Sequence, residues 1–404
     1  MPRSSARAAL VLFTTLNFLN YVDRYILPAV QIPLEREIHM TNEQFGWLTS
    51  SFFIFYILAA LPIGMLADRY PRRIIIAAGG LIWSGATLLT AFTTDYKSLF
   101  IRHLIVGIGE ASFATIAPAF LSDLYGEEKR GRVLGIFNTA LVVGMAVGTI
   151  LGTQLSATHG WRFPFYIGAV PGFVVSLLIF FIPEPPRGAK DETKSAHRTH
   201  VWGLFRNPAF MTACLGMAML TFCESGMQVF VIKYLVTIRD VTLAAAGSAF
   251  GGMSLFNGIV AVLIGGWIGD RMLRKRQSGH YLLSSLAMGL AIPTMLLTIY
   301  GPRATLWPAM FITEFVLFLN TGPLNAAIVN AVPAQIRATA LAVNIFIIHM
   351  LGDVPAPWIM GKIADKTNMA TAFGAAIVAC ALSSVILAYG MRFAPKLHAT
   401  KAAG

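Results

Sequence analysis

Twelve apolar runs recur along the chain, at approximately 8–33, 45–67, 73–93, 98–121, 132–155, 164–182, 208–235, 243–268, 280–300, 304–326, 338–361 and 371–391. Each is long enough to cross a hydrocarbon core about 30 Å thick, where a helix satisfies its own backbone hydrogen bonds. The ten-residue alternating strands of a membrane barrel do not occur. Only 12% of the residues are charged, against roughly 25% in an ordinary soluble domain. The expected fold class is an all-α polytopic membrane protein of twelve transmembrane helices.

The net charge of +12 invites a nucleic-acid reading, but its distribution follows the bilayer. With the amino terminus inside and the spans alternating, 21 of the 31 Lys and Arg fall on the inner side and 8 on the outer, with Arg24 and Arg102 inside spans. That asymmetry fits the positive-inside rule and places both termini in the cytoplasm. No nucleic-acid partner is therefore expected. Arg3 and Arg7 ahead of an apolar run resemble a signal peptide, yet the run continues past signal length without a small-residue cleavage site. Cys214, Cys223 and Cys380 fall inside spans without ligand spacing and read as small apolar packers. No Asn-x-Ser/Thr acceptor occurs and the loops are short, which suits a bacterial inner membrane.

One long polar interruption, "PEPPRGAKDETKSAHRTHVWGLFRN" at 183–207, separates residues 1–182 from 208–404 and reads as a cytoplasmic linker between two six-helix halves. The halves repeat each other. Gly64-x-x-x-Asp68-Arg69-x-x-Arg72-Arg73 follows the second span, and Gly266-x-x-x-Asp270-Arg271-x-x-Arg274-Lys275 follows the eighth, 202 residues later. Arg130 precedes Leu134 before span 5 as Arg337 precedes Leu341 before span 11, an offset of 207. Internal duplication of this kind marks transporters, with a substrate site near the midplane at the interface of the repeats. The Asp-Arg loops have two readings: plain obedience to the charge rule, or an inner gate. In the second, Gly64 permits close contact, Asp68 and Asp270 pair across to other helices, and Arg69, Arg72, Arg130 and Arg271 stand nearby.

Span 1 contains "NYVDRYILP", with Asp23 and Arg24 side by side in the middle of apolar residues. Each charge opposes insertion by ~2.5–3.5 kcal/mol, and the dozen Leu, Ile, Val and Phe of the span return ~0.3–0.6 each, so the helix alone roughly breaks even. Adjacent helical residues point about 100° apart, so Asp23 and Arg24 cannot simply neutralise one another. Glu110 of span 4 is the expected partner of Arg24. At ~1.5 Å per residue, Asp23 lies ~22 Å from the inner end of its span and Glu110 ~18 Å from the outer end of its own. Gly107 and Gly109 remove side chains beside Glu110 and allow a helix to approach. The pair reads either as a static packing device or as a proton-sensitive switch. Burial favours the protonated form of a carboxylate and a nearby guanidinium favours the ionised form, so movement of Arg24 would load or discharge a proton.

Twelve helices in two halves with these loops resemble the major facilitator superfamily. Arg102-x-x-x-x-Gly107-x-Gly109 and Gly144-x-x-x-Gly148-x-x-x-Gly152 add to the match. Within it, "NYVDRY", "GMLADRYPRR", "VGIGEASFATIAPAFLSDLYGEEKRGR" and "PEPPRG" resemble the Spinster branch, whose members move sphingosine-1-phosphate or lysophospholipids; the likeness is dense over 17–188 and thinner beyond. It implies a central cavity lined by spans 1, 4, 7 and 10, which carry Asp23, Glu110, Glu224 and Glu314 respectively. It also implies transport roles for the acid and Arg of "NYVDRY" and "GIGEAS". Asp353, before Val-Pro-Ala-Pro, is as consistent with a helix break as with transport, and His349 with a hydrogen-bonded structural role.

Enzyme signatures (His-Glu-x-x-His, Gly-x-Ser-x-Gly, a Walker loop) are absent. The expected function is a monomeric secondary transporter working by alternating access, with no cofactor or metal. Asp23 and Glu110 would handle the proton, and Arg24, Glu110, Glu224 and Glu314 would meet a small amphipathic, lipid-like substrate. The alternatives are a drug or metabolite exporter of the same fold, a membrane sensor, and an intramembrane enzyme.

Overall fold

The computed structural model describes residues 3–186, 202–333 and 336–395, and among these no strand occurs and every apolar run lies on helix. Most of the expected linker, residues 187–201, lies outside the described residues. The elements in order are α1 (Arg3–Ala29), α2 (Gln31–Ile38), α3 (Asn42–Arg69), α4 (Arg72–Thr90), α5 (Tyr96–Leu124), α6 (Glu127–His159) and α7 (Phe163–Ile179). They continue with α8 (Trp202–Phe205), α9 (Pro208–Thr237), α10 (Leu243–Lys275), α11 (Gly279–Tyr300), α12 (Leu306–Phe318), α13 (Thr321–Asn330), α14 (Arg337–Ile348), α15 (Pro355–Lys366) and α16 (Met369–Gly390).

Among the described residues, ten helical segments are long and apolar enough to cross a membrane, and α7 is a shorter apolar helix. In α1 the apolar character is diluted by Asn17, Asn20, Asp23 and Arg24. Prolines set the breaks. Pro28 has no N–H to give to the Arg24 carbonyl one turn earlier, and α1 ends one residue later, with α2 carrying the chain on. Between α14 and α15 the chain makes a wide turn over His349–Asp353, in which the Val354 N–H reaches back five residues to the His349 carbonyl at 2.9 Å. Pro355 cannot donate at the next position, which accounts for the widened turn there.

Chain contacts divide the molecule into two compact units. Among the described residues, the first comprises 3–186, 228–255 and 357–369. In it α1 packs along α6 and α7, α5 lies between α3 and α4, and α4 also meets α7. The α1–α6 seam is built on small residues: a Cβ at Gly148 would stand 2.5 Å from the Val22 carbonyl oxygen, and one at Gly144 2.6 Å from that of Phe18. Close backbone approach replaces the hydrophobic driving force that lipid does not supply. The rings of Phe13, Trp83, Phe113, Phe120 and Phe137 fill the space inside. The second unit comprises, among the described residues, 202–227, 256–333, 336–356 and 370–395. There α11 packs on α12 and α13, and Ser383 of α16 donates to the Gly216 carbonyl of α9 at 2.8 Å.

Burial is inverted relative to a soluble protein. Leu61 is 73% exposed and Leu263 69%, whereas Ser50, Thr93, Thr153, Ser284 and Asn320 are wholly buried. Some helix hydroxyls return to their own backbone, as Thr90 does to the Ala86 carbonyl at 2.9 Å and Thr313 to that of Ala309 at 2.8 Å.

Candidate functional site

Arg24 Nη2 donates to Glu110 Oε2 at 2.5 Å. The Glu110 side chain is wholly buried and that of Arg24 is 20% exposed, so the acid is sealed in protein while the Arg24 side chain is not fully enclosed. Small residues set the crossing: a Cβ at Gly107 would lie 2.7 Å from the Phe52 carbonyl oxygen on α3, and one at Gly109 2.8 Å from that of Gly79 on α4. The second carboxylate oxygen of Glu110 and the Nε of Arg24 are buried without a hydrogen-bond partner. The pair is thus joined by one contact, not the bidentate fork that would lock a guanidinium in place.

Asp23, 6% exposed, turns to another side of α1. A Cβ on Gly168 of α7 would come within 2.2 Å of its Oδ1, and Trp83 and Thr87 of α4 are its polar neighbours. Neither carboxylate oxygen closes a hydrogen bond in full geometry. Asp23 lies within electrostatic reach of Glu110, and Asn20 neighbours Glu110 as well. The adjacent charges of "NYVDRY" therefore face different helices, one acid behind and one cation in front.

Four aromatic rings surround the guanidinium. The carbon at its centre lies 5.0 Å from the ring centre of Tyr21, 4.9 Å from Phe52, 5.8 Å from Phe53 and 5.9 Å from Tyr56. All four lie within the ~6 Å at which a cation is attracted to a ring face. His103 stacks obliquely on Phe52 at 5.4 Å. Sequence reading missed this surround. One signal was present, Tyr21 standing one turn before Arg24; Phe52, Phe53 and Tyr56 look like any aromatics of an apolar run.

Among the residues of the repeated loops, Arg72 is 6% exposed and closes a brace: Nη1 to Asp123 Oδ2 at 2.6 Å, Nε to Glu184 Oε1 at 3.0 Å and Nη2 to the Pro185 carbonyl at 3.2 Å. Its guanidinium also stacks on Phe120 at 5.1 Å. Arg130 donates to the Ser122 carbonyl at 3.2 Å. Asp68, Arg69, Asp270 and Arg271 are exposed, and Arg271 stacks on Trp267 at 5.9 Å. A Cβ at Gly64 would meet nothing within 4 Å. The close contact expected at Gly64 is therefore absent in this conformation, because no neighbouring backbone comes near it.

In the second unit Glu314 is 8% exposed and accepts from Asn257 Nδ2 at 3.1 Å, and Asp353 accepts from His349 Nδ1 at 2.6 Å. Glu224 has Asp353 and Glu314 as electrostatic neighbours, and its buried Oε1 has no hydrogen-bond partner. Among the described residues no group of three or more His, Cys, Asp or Glu is arranged to hold a metal ion. A cavity of about 420 Å³ lies elsewhere, lined by Ile63, Leu66, Ile74, Ile75, Ile82 and Ile108 among others. Its lining is apolar and offers no charged group.

The sequence profile of the Major Facilitator Superfamily matches residues 13–357. The chain is 31% identical over 388 residues to "Protein spinster homolog 1" of Xenopus tropicalis, covering 90% of this chain and 74% of that protein. It is 29% identical over 374 residues to "Sphingosine-1-phosphate transporter SPNS2" of Danio rerio, covering 87% and 74%. Among solved structures, a bacterial homolog of the human lysosomal transporter Spinster, crystallised inward-facing and unoccupied, superposes with a TM-score of 0.82 at 21% identity over 97% of both chains. The relatives and the fold are those of membrane transporters and not of enzymes. The chain belongs to the major facilitator superfamily and, within it, to the Spinster family of transporters.

Proposed function

We propose that this transporter is proton-coupled and carries an amphipathic, lipid-like substrate with an anionic head, with Arg24 as the movable counter-charge. The observation that supports this most is the single 2.5 Å contact between a wholly buried Glu110 and the partly exposed side chain of Arg24. A carboxylate that loses its guanidinium in a dry site neutralises by taking a proton, because an isolated buried charge is far more expensive than a neutral acid. An anionic head that reaches Arg24 competes with Glu110 for the same donors, and the guanidinium fork suits phosphate. The aromatic surround gives the cation a place to rest as it changes partner. Asp23 serves as the second proton-sensing acid. The relative from Danio rerio is named for a phosphorylated amphiphile, which fits this chemistry.

Both termini are placed in the cytoplasm on the Lys/Arg asymmetry, in what we take to be a bacterial inner membrane. Glu224 and Glu314 meet substrate or proton from the second unit, while Gly64, Asp68, Arg69, Arg130, Asp270 and Arg271 form the inner gate, with Arg72 bracing it. One proton moving down ~100 mV provides ~2.3 kcal/mol for uphill transport.

The test is flux in proteoliposomes under an imposed pH gradient, for wild type and Glu110→Gln. The panel comprises a lysophospholipid, sphingosine-1-phosphate and an uncharged drug-like amphiphile. Gradient-driven movement of the anionic lipids that Glu110→Gln abolishes supports the reading. Movement indifferent to both gradient and substitution removes the proton role, and preference for the uncharged compound turns the reading to a drug exporter.

A further inference from the structure

The first turn of α3 leaves four backbone N–H groups to satisfy. Two interactions are local: Thr41 Oγ1 accepts from the Gln44 N–H at 3.2 Å and Gln44 Oε1 from the Thr41 N–H at 2.9 Å. The next two donors go to a residue more than 300 positions away. Asp365, at the end of α15, accepts from the Asn42 N–H at 3.0 Å and from the Glu43 N–H at 2.7 Å. Asn42 then adds a third contact, Nδ2 to Asp365 Oδ1 at 2.7 Å, while its Oδ1 accepts from Lys233 Nζ of α9 at 2.6 Å. Lys233 also pairs with Glu35 of α2. One asparagine side chain thus joins a carboxylate and an ammonium from two later helices.

The surroundings fit a contact that opens and closes. Gly361 lies so near the Asn42 carbonyl that a Cβ there would be 2.2 Å from its oxygen, and a Cβ at Gly46 would be 2.1 Å from the Pro357 carbonyl oxygen. The helices meet backbone to backbone where any side chain would hold them apart. Trp358 Nε1 donates to Glu43 at 3.1 Å, and Gln154 donates to Ser248 at 2.8 Å. Deeper, beside the site, the Tyr25 hydroxyl donates to Gln228 at 2.6 Å, one residue after Arg24. These contacts fall on the edge that closes the first unit around residues 228–255 and 357–369. Polar groups that pair here return to water on separation, so each contact contributes modestly and reversibly.

We propose that Asn42, Lys233 and Asp365 form the latch that holds the outer end of the transporter closed. This rests on the proposed orientation and on alternating access, but not on proton coupling or on the substrate. Asp365 and Lys233 act through the position of α3 and are positioning residues.

The test is access from outside to a cysteine placed below the latch. Thr49, 6% exposed, lies one turn inward of Gly46 on the same face of α3. The natural Cys214, Cys223 and Cys380 are wholly buried and set the background. Thr49→Cys is reacted with a membrane-impermeant thiol reagent, alone and combined with Asp365→Asn, Lys233→Gln or Asp95→Asn. Asp95 is a cap at the same end of the molecule that bonds only locally, to Ser98 at 2.9 and 2.6 Å. Asp365→Asn and Lys233→Gln are each expected to raise the labelling rate about tenfold, the factor that corresponds to losing about 1.4 kcal/mol of charge-assisted contact; Asp95→Asn is expected to leave it unchanged. Equal labelling in all four, or equal acceleration by Asp95→Asn, overturns the latch. If Asp365→Asn does not fold, Lys233→Gln alone decides. The readout uses no pH gradient and no substrate, so the latch and the proton reading fail separately.

Discussion

The acids of the two units are held in different ways. In the first unit, Glu110 meets a full cation at 2.5 Å inside a shell of aromatic rings. In the second, Glu314 takes an amide, Asp353 an imidazole, and Glu224 has those two acids as its electrostatic neighbours. A guanidinium offsets the charge of a buried carboxylate, whereas an amide donor or a second acid supplies no full opposite charge. The first unit sets a full cation against its acid, and the second sets its acids against an amide, an imidazole and one another.

Removing the cation separates the regions most sharply. Arg24→Met is expected to abolish transport and to destabilise the protein by up to about 3–5 kcal/mol, the usual consequence of stranding one member of a buried pair. Arg24→Met with Glu110→Gln is expected to recover most of the stability and none of the transport, in a thermal-melt double-mutant cycle alongside flux measurements. Phe52→Leu, which keeps an apolar side chain and removes the nearest ring face, is expected to cost about 1 kcal/mol and to weaken binding of anionic amphiphiles through a less well-held Arg24. Glu224→Gln should change stability by less than about 0.5 kcal/mol, since it leaves no buried cation behind. If Glu224→Gln destabilises as much as Arg24→Met, a cation holds Glu224 as well and the contrast disappears.

The smallest expected effect is at the surface. Hydrogen bonds from Arg162 and Trp161 hold the Glu37 carboxyl at about 2, below its ordinary 4.5. Because the folded value is depressed, the contribution is present above about 4.5 and lost as pH falls towards about 2. Melts of wild type and Glu37→Gln should differ slightly near neutral pH and converge in acid. Glu37 is about half exposed, so convergence that removes several degrees of melting temperature would be too large for this pair.

Much of this was legible in the sequence for one reason: in lipid, a charge is expensive and stands out. Asp23, Arg24, Glu110, Glu224 and Glu314 are visible as charges in apolar runs, and the depths of residues 24 and 110 could be matched by counting rise per residue. Phe52 could not be distinguished from Leu58, because the inside and outside of a membrane bundle are equally apolar; the structure buries the first to 2% and leaves the second 63% exposed. The union of Asn42 with Asp365 was hidden because it satisfies backbone donors, which every helix start offers. Arg72 read as one of several loop cations until Asp123 and Glu184 were seen to converge on it. The widened turn at His349–Asp353 was half visible, in the prolines at 355 and 357.

Difference infrared spectroscopy of the carboxyl stretch, recorded at one neutral pH on wild type, Arg24→Met and Arg24→Met/Glu110→Gln, addresses the exchangeable pair without knowledge of the substrate. A protonated-carboxyl band that emerges in Arg24→Met and vanishes in the double variant is the expected result, since Glu110 would take a proton once its guanidinium is gone. Identical spectra for Arg24→Met and the double variant would mean that Glu110 stays ionised without Arg24, and the guanidinium would then control no proton.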